Sequence, residues 1–117
     1  MSLELVHLCT LRSVPDPPVD LGVTTAGQRY MVNIREARWE GERLKASLKL
    51  GLPAGDWMVI SPEGIAHIDI RETLETDDGA LIYVRYQGRR DIARVRAGRE
   101  APVYITPLFE TSDPRYT

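Results

Sequence analysis

Two lysines, two histidines, one cysteine and one phenylalanine are all that this 117-residue chain holds of those types. A lone Cys9 cannot close a disulfide within the chain, so the fold must stand on burial alone, and the free thiol suits a reducing cytosol. Two His and one Cys without a recognisable spacing match no structural zinc pattern. No stretch approaches the roughly 18 apolar residues of a spanning helix. The opening residues MSLELVHLCTLR lack a basic leader region and carry Glu4 and His7 inside their apolar stretch, so they do not read as a signal peptide. Neither sign of charge prevails either: 15 basic and 17 acidic side chains leave −2, too little field to hold a nucleic acid or an acidic membrane globally. Phosphate-cradling glycine loops, nucleophile elbows and dinucleotide fingerprints are missing as well. These absences lead us to expect a cytoplasmic protein with no metal or cofactor, no nucleic-acid partner and no membrane association.

What is present is 43% apolar residues, enough for one domain over residues 1–117 with a modest core. The patterning is β almost throughout. Residues 3–11 read as a first strand stopped by Ser13-Val-Pro-Asp-Pro-Pro, whose prolines donate nothing to a ladder. Gln28 to Trp39 reads as a second, longer strand. Residues 43–50 fit a helix through Leu44 and Leu48, but the full alternation of Leu44, Ala46, Leu48 and Leu50 with polar residues favours a strand. Trp57 to Ile60 reads as a buried strand, followed by a Ser61-Pro-Glu-Gly turn.

The best-determined unit is a hairpin, Ala66 to Thr76 and Ala80 to Gly88, joined by Asp77-Asp78-Gly79. A three-residue loop ending in glycine fits a type I turn with a bulge. That register puts Ile68, Ile70, Leu74, Ile82, Val84 and Tyr86 on one face, and Asp69, Arg71, Thr73, Tyr83 and Arg85 on the other. A two-residue Asp78-Gly79 turn would place Glu72 and Arg85 among the apolar set and is set aside. Beyond it, Asp91 caps a short helical turn over 91–97, and Tyr104 to Phe109 returns to strand with Pro107 marking an edge or bulge. About seven strands at short spacing predict an all-β antiparallel meander closed, or nearly closed, into a small barrel.

The polar hairpin face is the leading candidate site. Asp69, Arg71, Tyr83 and Arg85 are expected within about 5 to 8 Å of one another. Asp69 as base, Tyr83 as acid and Arg71 or Arg85 holding an oxyanion would serve acid-base chemistry on a small organic acid or carbonyl compound. The alternative is a solvated face laced with ordinary ion pairs. If that face is the outside of the barrel, the catalytic version fails. His67 lies one pleat from Asp69 but lacks a third ligand. His7 and Cys9 share a strand face, although a partly buried structural thiol is the plainer reading. Arg85, Arg89, Arg90, Arg94, Arg96 and Arg99 fall within fifteen residues, which reads as a solvated loop or as a site for an anionic small ligand. Trp39, Trp57, Tyr104 and Phe109 serve either a core or the lining of a small-molecule cavity.

The run Arg71-Glu-Thr-Leu-Glu-Thr-Asp-Asp-Gly-Ala-Leu-Ile-Tyr-Val-Arg85, with Gly55-Asp-Trp57, Pro17-Pro-Val-Asp-Leu-Gly22, Trp39-Glu-Gly-Glu-Arg-Leu44 and Phe109-Glu-Thr-Ser-Asp-Pro-Arg-Tyr116, resembles domain-of-unknown-function family 3237. The resemblance covers nearly the whole chain. It implies a small calycin-like or lipocalin-like antiparallel barrel with an interior pocket for a small organic molecule, and no settled activity. Its pattern has polar residues at Asp69, Arg71 and Tyr83, a turn at Asp77 to Gly79, and further matches at Trp57, Phe109 and Glu110. Departures occur at Glu36-Ala37-Arg38, where a glycine pair is common, and at Glu72, where an aromatic is common. Family members usually continue past the Arg-Tyr pair into a final strand or two, so an open edge at Tyr104 to Glu110 and a homo-oligomer, a dimer first of all, are expected. Two rivals to the catalytic reading stand. One is a non-catalytic barrel whose cavity is lined by Ile70, Leu74, Ile82 and Val84 with Trp57. The other is an assembly module that self-associates through its edge.

Overall fold

A computed structural model describes residues 2–117. Nine strands form one sheet in which every pairing is antiparallel. They are β1 (Thr10–Pro15), β2 (Val19–Thr24), β3 (Gly27–Glu40), β4 (Lys45–Leu48), β5 (Gly55–Ile60), β6 (Ile65–Thr76), β7 (Leu81–Asp91), β8 (Tyr104–Ile105) and β9 (Leu108–Glu110). A single turn of helix, α1 (Ile92–Arg96), is capped by Asp91, and a 3-10 turn spans Pro114–Tyr116. No helix is long and apolar enough to cross a membrane among the described residues.

Three long strands organise the sheet. The first half of β3 pairs with β2 on one edge and β5 on the other, and its second half pairs with β1 and β4. β6 receives β5 and β4 on one edge and runs against β7 along the other. β8 and β9 then take successive parts of the free edge of β7. No ladder joins β1 or β2 to β8 or β9 among the described residues, so the sheet is curled and barrel-like rather than closed by hydrogen bonds.

Side chains bridge it instead. Trp39, 3% exposed, reaches from β3 to donate its indole N–H to Glu72 of β6 at 2.8 Å. The same ring packs edge-on against Tyr86 of β7 and Phe109 of β9, with centroids 5.9 and 5.6 Å away. Around this strut lie Ile34, Ala46, Leu74, Ile82 and Val84, all buried.

The first strand expected over 3–11 is corrected to Thr10–Pro15. Thr10 faces Glu40, the last residue of β3, so residues before it have no partner strand to pair with, and Leu3 and Leu5 are left fully exposed. The strand also runs past its expected end, through Ser13 and Val14 to Pro15, with a register shift at Val14/Pro15. β2 lay unread in the sequence although Val19, Leu21 and Val23 alternate with Asp20, Gly22 and Thr24, because the segment is short, follows the proline run and stays almost wholly exposed; its register shifts between Asp20 and Gly22, the latter at φ 81°. The strand expected over Tyr104 to Phe109 is two strands, split at Thr106-Pro107, where proline cannot donate to β7. The meander is likewise interrupted: β4 and β5 share the gap between β3 and β6, and β1 reaches β3 past β2.

Candidate functional site

The three-residue turn forms as expected. Thr76 N–H donates to the Ala80 carbonyl at 2.8 Å, Ala80 N–H donates to Thr76 Oγ1 at 2.7 Å, and Gly79 takes φ 92°. Leu74 then faces Ile82, Glu72 faces Val84, Ile70 faces Tyr86 and Asp69 faces Gln87. One residue is missing from the apolar set expected of this register. Glu72 has the same parity as Ile70 and Leu74, so the favoured register seats this carboxylate in the apolar set, where it is 1% exposed. Its Oε1 holds the Trp39 indole and its Oε2 has no partner among the described residues. Burial raises its pKa, against the lowering effect of the Trp39 hydrogen bond. Asp56, also on the core side and buried, is raised by desolvation as well, although its Oδ1 accepts the Asp69 N–H at 3.0 Å. Tyr86 is pushed far up by desolvation first, then by the nearby Glu72 and Asp56 carboxylates.

The expected site residues divide between the two faces. Trp39 belongs to the core. The proposed cavity of Ile70, Leu74, Ile82 and Val84 with Trp57 is not assembled, because Trp57 points to the opposite face, where the Arg71 guanidinium lies 5.2 Å from its ring centre. Asp69, Arg71 and Trp57 do come together, with Arg71 Nη2 3.0 Å from Asp69 Oδ2. Tyr83 does not join them. It sits opposite Thr73 and Glu110, four residues along β7 from the partner of Asp69, or roughly 13 Å. A proton relay needs groups within hydrogen-bond reach of one substrate, so the acid-base pair of Asp69 and Tyr83 is not formed. Arg85 faces Arg71 directly, and Glu110 is exposed at the end of β9.

The cysteine reading is also settled geometrically. His7 Nε2 contacts Thr10 Oγ1 at 3.1 Å rather than the thiol, and burial raises the Cys9 pKa, which opposes thiolate formation. No three His, Cys, Asp or Glu side chains gather as metal ligands among the described residues.

On the face opposite the core, a cleft of about 640 Å³ opens across five strands. Its walls follow two rungs of the sheet. One rung carries Arg29, Val59, His67, Arg89 and Tyr104, which are successive cross-strand partners. The next carries Trp57, Asp69, Gln87 and Thr106. Between these rungs the β5–β6 ladder lapses, from Asp56/Ile70 to Val59/His67, and the Asp69 N–H is taken by the Asp56 side chain instead. The Gly55-Asp-Trp57 motif therefore serves both faces, Asp56 anchoring β6 from the core side and Trp57 walling the cleft. Arg29 is steadied by donating from Nη1 to the Trp57 carbonyl at 2.7 Å. Gly88 lets β8 close in, since a Cβ there would meet the Tyr104 carbonyl at 2.8 Å, and so Tyr104, 85% exposed, borders the cleft.

The cleft is electropositive although the chain is not. Arg29 and Arg89 form no ion pair among the described residues, and Asp69, the one carboxylate of the lining, is engaged by Arg71. Arg71 and Arg85 are cross-strand partners, a like-charge pairing that the Asp69 carboxylate offsets at Arg71. Arg29, His67, Gln87 and Arg89 were not singled out together in sequence because they come from three strands. Parity with Asp69 and Arg85 places three of them on that face, but Arg29 is brought in only by the β3–β5 pairing.

Comparison with known proteins follows the same outline. The family model described as "Protein of unknown function (DUF3237)" matches residues 3–117. A UPF0311 protein of Rhodopseudomonas palustris strain TIE-1 is 26% identical over 98% of this chain and 80% of its own length, and one of Clostridium acetobutylicum is 29% identical over 99% and 78%. Among solved structures, a beta-barrel like protein from Acinetobacter baumannii AYE matches with TM-score 0.71 at 32% identity, covering 97% of this chain and 83% of that one. A conserved protein of unknown function from Rhodopseudomonas palustris matches with TM-score 0.72 at 25% identity, covering 95% and 82%.

Proposed function

Because the chain belongs to the DUF3237 family, whose description names no activity, its function has to be read from the cleft, and we propose that this cleft binds a small organic acid. The observation that carries the reading is the rung of Arg29, His67 and Arg89, two of them guanidiniums without a carboxylate partner among the described residues, in a cleft that Trp57 and Tyr104 also line. Guanidinium forks match carboxylate geometry, and aromatic walls supply apolar contact beside them. The volume lies within the range of small-molecule sites. This reading keeps the expected ligand class and moves it from the barrel interior to the opposite face, because the core side is taken up by Trp39, Leu74, Val84 and Tyr86 packed together. It is a binding function and needs no proton transfer.

The test is a titration followed by calorimetry or by backbone NMR, using benzoate and its neutral counterpart benzamide. Benzoate is expected to shift residues 67–69 and 87–89 and to bind better than benzamide. Arg89→Ala should weaken it about tenfold or more, the scale of a charge-assisted hydrogen bond. Equal binding of acid and amide, or no binding of either, defeats the reading.

A second reading rests on a different observation. Leu3, Leu5 and Val6 are 95%, 103% and 80% exposed, and β1, β2, β8 and β9 each leave an edge unpaired among the described residues. We propose that a second copy of this chain covers that apolar segment, giving a homodimer by edge association. Sedimentation over a wide concentration range checks it, and a strictly monomeric chain throughout rules it out.

A further inference from the structure

Resting on the homodimer reading, we propose that each copy seats Leu3 and Leu5 of its N-terminal arm, residues 2–8, in an apolar cleft of the other copy beside the free edge of β9. This second cleft has a volume of about 450 Å³. Leu44 and Ile82, both buried, line it together with the more exposed Phe109 and Tyr116. Phe109 faces Val84 across the β7–β9 ladder and packs on Trp39. The cleft therefore lies on the core side of the sheet and continues the core where the chain's own side chains leave it uncovered.

The arm supplies what the cleft lacks. Leu3, Leu5 and Val6 are almost wholly exposed, and Leu3 and Leu5 fall on one side of an extended chain, so both enter one cleft together. An apolar cavity of about 150 Å³ already holds a benzene-sized group, and the larger space here takes two leucine side chains. β9 offers main-chain groups as well. Among the described residues it pairs with β7 alone, so its outer edge is open to an added extended segment.

The position of Leu8 selects a second copy over the chain itself. Leu8 also lines the cleft, so the arm departs from the rim of its own copy's cleft. That departure is held at two points. Gly41 lets the Leu8-Cys9 backbone cross it, where a Cβ would meet the Leu8 carbonyl, and His7 Nε2 contacts Thr10 Oγ1 at 3.1 Å. To fill its own cleft the arm has to reverse within Val6-His7-Leu8, yet residues 2–9 contain no Gly, Pro, Asn or Asp to make a tight turn. A second copy requires no reversal. Because arm and cleft adjoin, a two-fold axis beside them exchanges both arms at once and closes the assembly. Two such arms with their clefts bury on the order of 1,000 to 1,500 Å² in total, the lower end of the range for specific interfaces.

The experiment attaches a nitroxide at Ser2→Cys in a Cys9→Ser background and mixes that chain with isotope-labelled natural chain, so that loss of amide signal is read only between copies. Sedimentation of the same mixture reports the dimer. We expect the amides of Arg43, Leu44 and Leu108 to Thr111 to lose most of their intensity, while those of 67–69 and 87–89 on the opposite face keep theirs. The loss should vanish when the nitroxide-bearing chain also carries Leu3→Ser and Leu5→Ser. If the chain sediments as a dimer and the amides around β9 keep their intensity, this inference falls while the homodimer reading stands. Loss at those amides only when nitroxide and isotope share one chain puts the arm in its own cleft and likewise overturns the inference. A chain that stays monomeric at every concentration defeats both.

Discussion

Glu72 carries a charge-bearing group into the most apolar part of the molecule, with one oxygen on the Trp39 indole and the other unpaired. Its raised pKa means that the folded chain keeps this proton to a higher pH than the unfolded chain does. Folding then takes up a proton between the two values, and stability falls as pH rises through that window. Asp56, raised by burial, acts in the same direction. The exposed Asp77 and Asp78 and the half-buried Asp113 act oppositely. The Arg38 hydrogen bond lowers Asp77, the Thr76 and Tyr116 hydroxyls lower Asp78, and Arg115 holds Asp113 down at about 2. Their contribution is present above the ordinary carboxylate range and is lost on acidification. Thermal melts are therefore expected to peak in mild acid and decline toward neutral pH. Glu72→Gln keeps an acceptor for Trp39 and removes the buried charge, so the decline should flatten and the variant should gain on the order of 1 kcal/mol at neutral pH. A variant whose pH profile parallels that of the natural chain would show that Glu72 is not the source. Trp39→Phe should cost about 3 kcal/mol by leaving the carboxylate with no donor, read from urea denaturation.

Among the elements, the β6–β7 hairpin is the one whose local chemistry and tertiary role agree most fully. Asp77-Asp78-Gly79 sets the register, and the register decides that Asp69 and Gln87 meet while Asp69 and Tyr83 do not. Gly79 has open space where a Cβ would go, so Gly79→Ala meets no clash and isolates the cost of φ 92°. A loss of about 1 to 2 kcal/mol is expected from chemical denaturation, with binding in the cleft retained once folded. The antiparallel hairpin, the helical turn after Asp91 and an irregularity at Pro107 were legible because each depends on local backbone chemistry, although the split into β8 and β9 was not. β2 was not, since its short alternation follows the proline run and buries almost nothing, nor was the true start of β1, which is set by where β3 ends. Glu72 was legible by parity alone, and the pull of its charge toward the polar set hid it.

At the scale of the whole molecule, the two ends of the sheet remain unjoined by hydrogen bonds among the described residues, and the apolar Leu3, Leu5 and Val6 stand away from the core. Burial of such side chains against a second copy is worth roughly 1.5 to 3 kcal/mol each, opposed by the entropy of joining two bodies. Replacing all three with serine is expected to abolish concentration-dependent association in sedimentation while leaving the melting temperature of the monomer nearly unchanged. Association undiminished in that variant would move the interface elsewhere. Several features follow from sequence alone: the all-β class, the hairpin with its register, and family membership. They arise from side-chain alternation and from the turn chemistry of a few residues, which act over short stretches of chain. The tertiary structure decided which face is buried, that Trp39 braces the sheet through Glu72, and that Arg29, His67, Asp69 and Arg89 meet in one cleft. Those outcomes depend on which strands pair across long separations and on how the sheet curls, and no local pattern encodes either.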